Sequence, residues 1–217
     1  MNPLGKIRIE WSPKFAYAIG LIATDGCLYN DGRHLSLTTK DQEQADNFVD
    51  CLGLTVKIGK KSRGYSQEKK YFNVQFGDVL FYNYLMGIGL TPAKSKTMGV
   101  LKIPEKYFFD FLRGCFDGDG SFYSYMDPRW RSSFMFYTVF VSASLEHIQW
   151  LRETISRLVG IIGHVTGKGR KGTAYQLKYA KSESLQLLPK MYYDDQVVCL
   201  TRKRIKTQRA IQQNLTK

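Results

Sequence analysis

One internal repetition constrains the fold of this chain more than any other feature. Tyr17-Ala-Ile-Gly-Leu-Ile-Ala-Thr-Asp-Gly26 returns as Phe111-Leu-Arg-Gly-Cys-Phe-Asp-Gly-Asp-Gly120, which aligns Gly20 with Gly114, Asp25 with Asp119 and Gly26 with Gly120. Further on, Leu37-Thr-Thr-Lys-Asp-Gln-Glu aligns with Val141-Ser-Ala-Ser-Leu-Glu-His. Each reads as a short strand running into a helix, over 45–54 and 146–159. Glycine- and lysine-rich hairpins follow over 57–70 and 164–178, and then helices near 78–87 and 182–191. Both halves end in a basic element, Pro92-Ala-Lys-Ser-Lys96 and Arg202-Lys-Arg-Ile-Lys206. A recurring segment of this length folds as a recurring unit. The expectation is therefore an α+β fold of tandem αββαββα repeats with pseudo-twofold symmetry. The first repeat spans 1–96, the second 105–217, and a linker 97–104 ends in Pro104.

Alternation gives the strand faces. Leu35 and Leu37 alternate with Ser36 and Thr38, and Phe72, Val74 and Phe76 alternate with Asn73 and Gln75, so one face is core and the other polar. The segment 133–142 is apolar on both faces, and its register is ambiguous from sequence. Ser12-Pro13 is a helix start, a capping hydroxyl followed by proline at the first helical position. Pro104 opens the second motif helix in the same way, and Gly26 and Gly120 stand where the two helices stop. Small residues recur every fourth position, as Ala16, Gly20 and Thr24 on one helix and Gly114 and Gly118 on the other. Such stripes let two helices approach closely, which would bring Asp25 and Asp119 together at helix C-termini. The dipole there disfavours anions and the two carboxylates repel each other. A divalent cation relieves both penalties, and an oxygen-rich site suits Mg²⁺.

The formal net charge is +13, which favours a polyanionic partner or an anionic membrane. No apolar run approaches the ~20 residues of a membrane span, and the N-terminus does not read as a signal peptide, so an intracellular protein of the cytoplasm or an organelle matrix is expected. Cys27, Cys51, Cys115 and Cys199 lack metal-ligand spacing and read as reduced, mostly buried thiols.

The repeated motif resembles that of the LAGLIDADG homing endonucleases and related intron maturases, and the resemblance extends over nearly the whole chain. It implies two four-stranded antiparallel sheets forming a saddle over DNA. It places Asp25 and Asp119, with Gly26 and Gly120 beside them, on the metal-binding position of a Mg²⁺- or Mn²⁺-dependent nuclease. Asp117 falls on the motif's other acidic position, where the first repeat has Ala23, and carries no catalytic assignment. Lys94 and Lys203 match the basic positions after each repeat's third helix, with Lys96 and Arg204 close behind. The family's frequent glutamine after the second strand falls on Thr39 and Ala143, so both repeats depart from it.

A two-stranded ribbon fits the major groove of B-DNA. Expected contacts in the first repeat are Arg33, Ser36, Thr38, Lys40, Lys57, Lys60, Lys61, Arg63, Lys69, Lys70, Asn73 and Gln75. Those in the second are Ser121, Tyr123, Tyr125, Arg129, Arg131, Thr166, Lys168, Arg170, Lys171, Gln176 and Lys178. The lysines would set position on the phosphates and the polar strand residues would read bases. The leading expectation is a monomeric site-specific DNA endonuclease that cuts both strands of a long, loosely palindromic target. The alternative is a maturase that binds intron RNA to assist splicing.

Overall fold

The computed structural model of the chain describes residues 5–62, 68, 70–130, 133–167 and 174–215. The first repeat runs α1 (Pro13–Thr24), β1 (Gly26–Leu28), β2 (His34–Thr39), α2 (Gln42–Cys51), β3 (Gly59–Lys61), β4 (Tyr71–Gly77) and α3 (Val79–Gly87). The second runs α4 (Phe108–Gly118), β5 (Ser121–Met126), β6 (Phe134–Ser142), α5 (Leu145–Val159), β7 (His164–Thr166), β8 (Tyr175–Tyr179) and α6 (Lys181–Met191). A further helix, α7 (Thr201–Leu215), follows. Each repeat builds one antiparallel four-stranded sheet, ordered β1-β2-β4-β3 and β5-β6-β8-β7. The class is α+β, and both repeats have the expected αββαββα order.

The chain divides into two compact units that cut across the repeats. One holds Met1–Lys94 with Leu101–Gly118, the other Ser95–Val100 with Asp119–Lys217. Helix α4 opens the second repeat in sequence, but its packing belongs to the first unit. The reason is its contact with α1. That helix is buried from Phe15 to Ala23, as expected of a helix apolar all round. Its start follows the sequence signal: Ser12 Oγ accepts the Phe15 N–H at 3.1 Å, and Pro13 takes the first position.

The two helices touch backbone to backbone. A Cβ on Gly20 would stand 2.2 Å from the Phe111 carbonyl oxygen and 2.8 Å from the Cys115 nitrogen. One on Gly114 would stand 2.2 Å from the Tyr17 carbonyl oxygen. The same interface buries polar groups, each with a partner. Tyr17 donates its hydroxyl to Asp117 Oδ2 at 2.9 Å, and the Arg113 guanidinium meets Asp110 Oδ1 at 2.6 Å. Arg113 also lies over the Tyr17 ring, 5.7 Å from its centroid. Burial, reinforced by the Asp117 carboxylate, pushes the Tyr17 phenol well above its ordinary pKa. Asp117 is thus a buried packing acid.

Gly26 does not end α1 through a left-handed turn. Asp25 caps the helix with φ −94 and ψ −8, and Gly26 begins β1. Glycine is needed there because a Cβ would lie 2.6 Å from Ile22 Cα.

In the second unit, the ambiguous strand acquires a register. Phe134, Phe136, Thr138 and Phe140 of β6 are buried, on one face with Phe122, Leu177 and Tyr179. Met135, Tyr137, Val139 and Val141 take the other face. The segment Ser95–Val100 is pinned to the head of α5. Ser144 Oγ donates to the Met98 carbonyl at 2.5 Å, and His147 Nδ1 donates to the Gly99 carbonyl at 3.0 Å. Burial holds the His147 imidazole down at about 4, so it is neutral near pH 7. Cys27 is exposed, and Cys51, Cys115 and Cys199 are buried as free thiols. Among the described residues, no helix is long and apolar enough to cross a membrane.

The glycine contact makes a stability prediction. Gly→Ala in a helix interior gains about 1 kcal/mol of propensity, but here the new methyl meets main chain, which cannot rotate away. Overpacking of this kind costs about 1–3 kcal/mol and more where nothing yields. Gly20→Ala and Gly114→Ala should each lower stability by about 3 kcal/mol in urea unfolding. Gly87→Ala, where a Cβ meets nothing within 4 Å, should leave it unchanged or raise it.

Candidate metal and nucleic-acid sites

Asp25 stands partly exposed at the last turn of α1, where its main-chain N–H still bonds the Leu21 carbonyl at 2.9 Å. Its carboxylate is held from outside the motif. The Gln44 amide, on α2 and only 3% exposed, donates Nε2 to Asp25 Oδ2 at 2.8 Å. Thr39 Oγ1 in turn donates to Gln44 Oε1 at 2.7 Å. An ionised carboxylate only accepts, so the amide must present its NH₂ to Asp25 and its oxygen to Thr39. Thr39 therefore acts as the outer anchor of a glutamine five residues on. In the second repeat that place is filled by His147: Ser144 caps α5 as Asp41 does α2, Ser142 Oγ accepts from the Ser144 N–H as Thr39 Oγ1 does from that of Asp41, and the imidazole bonds the Gly99 carbonyl instead of a carboxylate.

Two buried lysines mark equivalent places. Lys94, 5% exposed on a single 3-10 turn (Lys94–Lys96), donates Nζ to the Gly26 carbonyl. Lys203, 9% exposed in the first turn of α7, donates Nζ to the Gly120 carbonyl at 2.7 Å. Each ammonium thus bonds the carbonyl of the glycine that follows the motif aspartate. The neighbouring cations sit differently. Lys96 is exposed, and Arg204 bonds the Asp195 carbonyl at 2.6 Å and pairs with the Asp195 carboxylate. Asp119 is exposed at the start of the second unit, and Gly120 is buried.

No group of three or more His, Cys, Asp and Glu side chains suited to a metal ion occurs among the described residues. Such a cage is not required for Mg²⁺. That ion commonly keeps several waters and takes one or two carboxylates together with phosphate oxygens. A carboxylate held at a helix C-terminus, with an ammonium anchored one residue on, fits a cation that arrives with its phosphate.

The first sheet has a polar outer face. Ser36 pairs with Gln75 and Thr38 with Asn73, and Lys61 lies opposite Tyr71 on the same side. Thr38 Oγ1 donates to Asn73 Oδ1 at 3.0 Å, while Gln75 is exposed and Ser36 is buried beside the Tyr29 hydroxyl. Arg33 is exposed in the β1–β2 turn. Asp31 braces that turn by accepting from the His34 and Arg33 main chain, which lowers its own pKa to about 2. Lys40 lies over the Tyr71 ring at 5.4 Å. Lys57 is exposed before β3. Lys60 pairs with Phe72 and lies over its ring at 5.3 Å, on the strand face opposite Lys61. Lys70 pairs with Glu68 at 2.6 Å on the surface.

The second sheet's outer face is aromatic instead. Ser121, Tyr123 and Tyr125 share it with Thr166, Gln176 and Lys178. Tyr123 and Tyr125 stack on Tyr137 with centroids 5.2 and 6.4 Å away. A hydrogen bond to Tyr137 raises the Tyr125 phenol pKa, and burial raises that of Tyr123. Arg129 folds back on Asp127 at 3.2 Å. Arg63, Lys69, Arg131, Lys168, Arg170 and Lys171 lie outside the described residues. Sequence reasoning missed Gln44 and Tyr137. The first carried no local signal, and the second was hidden by the two-sided apolarity of its strand.

No protein-family model matches the chain, and no curated protein matches it by sequence. Solved structures do. The homing endonuclease I-LtrWI, described as bound to target DNA, superposes with a TM-score of 0.61 at 10% identity, over 94% of this chain and 91% of that one. The homing endonuclease I-DmoI, in complex with DNA and Ca, does so at 0.58 and 12%, over 89% and 96%. The N-terminal LAGLIDADG domain of DUF199/WhiA gives 0.57 and 14%, over 91% and 88%. Against full-length DUF199/WhiA from Thermatoga maritima, this chain spans 63% of the longer protein. At these identities the likeness establishes architecture, and the architecture of this chain is the LAGLIDADG fold.

Proposed function

We propose that the chain is a metal-dependent, site-specific DNA endonuclease that acts as a monomer and breaks both strands of a long target. The observation that carries this reading is duplicated: a buried lysine bonds the carbonyl of the glycine that follows each motif aspartate, Lys94 on Gly26 and Lys203 on Gly120. Burying an ammonium is costly unless it is bonded, so two such lysines in matching places favour a chemical role over a packing role. I-LtrWI and I-DmoI, both described with bound DNA, support the same partner. The charge of +13 suits a polyanion as well.

In this reading Asp25 and Asp119 hold Mg²⁺ or Mn²⁺. The metal would supply Lewis acidity and a water of lowered pKa at the scissile phosphate. Gln44 fixes the rotamer of Asp25, with Thr39 holding the amide from behind. Lys94 and Lys203 place positive charge beside the carboxylates, where negative charge grows on the phosphate oxygens. Ser36, expected among the base-reading residues, is buried against Tyr29. Thr38, Asn73 and Gln75 read base edges from the first sheet. Thr166, Gln176 and Lys178 do so from the second, and the exposed lysines hold the backbone. A second reading, RNA binding by a maturase, is favoured by the Tyr123–Tyr137–Tyr125 stack, since exposed rings suit unstacked bases.

Two outcomes follow. Asp25→Asn and Asp119→Asn keep side-chain size and remove charge, so each should abolish double-strand cleavage while gel-shift affinity stays within a few-fold. Full cleavage by both variants would refute the assignment. Gln44→Leu and Thr39→Val should raise the Mg²⁺ concentration for half-maximal cleavage by about 10–100-fold, the usual cost of losing a supporting partner. Thr39→Ser, which restores the hydroxyl, should recover most of it. An unchanged metal titration in both variants would remove Gln44 from the mechanism.

A further inference from the structure

The outer face of the second sheet changes character halfway across. On β5 it carries Ser121, Tyr123 and Tyr125, and on β6 Met135, Tyr137, Val139 and Val141. Its remaining polar side chains lie on β8 and β7, where Gln176 pairs with Val141 and Thr166, and Lys178 with Val139 and His164. No carboxylate stands among these strand residues. Tyr123 and Tyr125 are 39% and 40% exposed, and Met135, Tyr137 and Val141 are half-buried. The β5–β6 half is therefore an apolar, aromatic surface on the same side as a cation and an amide.

The three rings hold one another. Tyr137 lies 5.2 Å from Tyr123 and 6.4 Å from Tyr125, with planes 19° and 2° apart, and Tyr123 lies 6.5 Å from Tyr125. The Tyr125 and Tyr137 hydroxyls bond each other, so one donor of that pair is already spent. Rings supported in this way lose little rotamer freedom on binding.

What such a face can recognise follows from what a duplex presents. Every base pair shows hydrogen-bonding groups in the major groove, and thymine alone adds a methyl. An apolar side chain set against an amino group or a carbonyl removes its water and returns no bond, which is costly. Set against a methyl, it gains the burial of apolar surface. The first sheet presents Thr38, Asn73 and Gln75 instead, all with donors and acceptors. RNA fits the aromatic face less well, since uracil lacks the methyl and the A-form major groove is too deep and narrow to be read.

We propose that Tyr123, Tyr125 and Tyr137, with Met135 and Val141 beside them, read thymine by its methyl group, so that the stretch of target against β5 and β6 is selected as thymine-rich DNA. The proposal rests on the DNA-binding reading above and names the base that one sheet face selects.

The test uses the full chain and a duplex recovered from a randomised library by repeated gel-shift selection. That site should hold adjacent thymines in one half. Deoxyuridine then replaces thymidine in one half at a time, which removes methyls and keeps every hydrogen bond of the base pair. Affinity at fixed salt should fall in one half only, by about 4-fold per contacted methyl, the worth of burying one such group. The fall should disappear in Tyr123→Gln/Tyr125→Gln and persist in Gln75→Ala, on the first sheet. Equal affinity of the wild type for the thymidine and deoxyuridine duplexes in both halves would overturn the proposal, and this comparison needs no variant to fold. A fall that the natively folded tyrosine variant leaves unchanged would overturn it too. Binding of single-stranded polyuridylate that depends on Tyr123 and Tyr125, with no duplex preference for thymidine, would overturn it in favour of unpaired RNA bases. Recovery of no duplex at all would instead remove the underlying DNA reading, and the thymine assignment with it.

Discussion

The structure depends first on main-chain contact between α1 and α4 at Gly20 and Gly114. No side chain fits between the two helices there, since a Cβ on either glycine would stand 2.2 Å from a carbonyl oxygen of the other helix. That proximity forces the remaining positions of the interface. It leaves room for Tyr17 to reach Asp117, and for Arg113 to stay beside Asp110 under the Tyr17 ring. The Tyr17–Asp117 bond crosses between the helices and favours one register, whereas the Arg113–Asp110 pair lies within α4, where removing one member of a buried pair typically costs about 3–5 kcal/mol. At the C-terminal end the contact is equally close. A Cβ on Gly118 would lie 2.0 Å from Thr24 Oγ1 and 3.0 Å from Asp25 Oδ2. The conformation of Asp25 is therefore set by glycine packing on one side and by the Gln44 amide on the other.

The two repeats share a topology and differ in chemistry. Both sheets have the same strand order, and both motif glycines lend a carbonyl to a buried lysine. The outer face of the first sheet is built of hydroxyls and amides, whereas that of the second carries three stacked tyrosines. One carboxylate has a buried glutamine beside it, and the matching place in the other repeat is His147, which bonds the Gly99 carbonyl.

Much of this was legible in the sequence, for identifiable reasons. The repeat, the Ser12-Pro13 start and the small-residue stripes are local patterns with direct structural consequences. Strand β4 follows its alternation, with Val74 and Phe76 buried and Gln75 exposed. Other features depend on distant partners. Gln44 sits in an amphipathic helix like any polar residue, and only the fold brings its amide to a carboxylate 19 residues earlier. Strand β6 is apolar on both sides because its outer face carries aromatic side chains, which alternation cannot distinguish from core. Lys60 belongs by composition with the other hairpin lysines, but the register with Phe72 turns it to the opposite face from Lys61. Helix α2 begins at Gln42, three residues before the first clear apolar periodicity at Ala45, because Asp41 turns the chain at its N-cap.

Whether the proposed chemistry accompanies the LAGLIDADG fold is a question for catalysis itself. The most direct measurement is a cleavage selection on a randomised duplex library, with Mg²⁺ or Mn²⁺ present and with the metal chelated. A metal-dependent endonuclease should recover one long motif, cut on both strands and only when metal is present. A library left intact under every metal condition, or cleaved equally with and without metal, would contradict it.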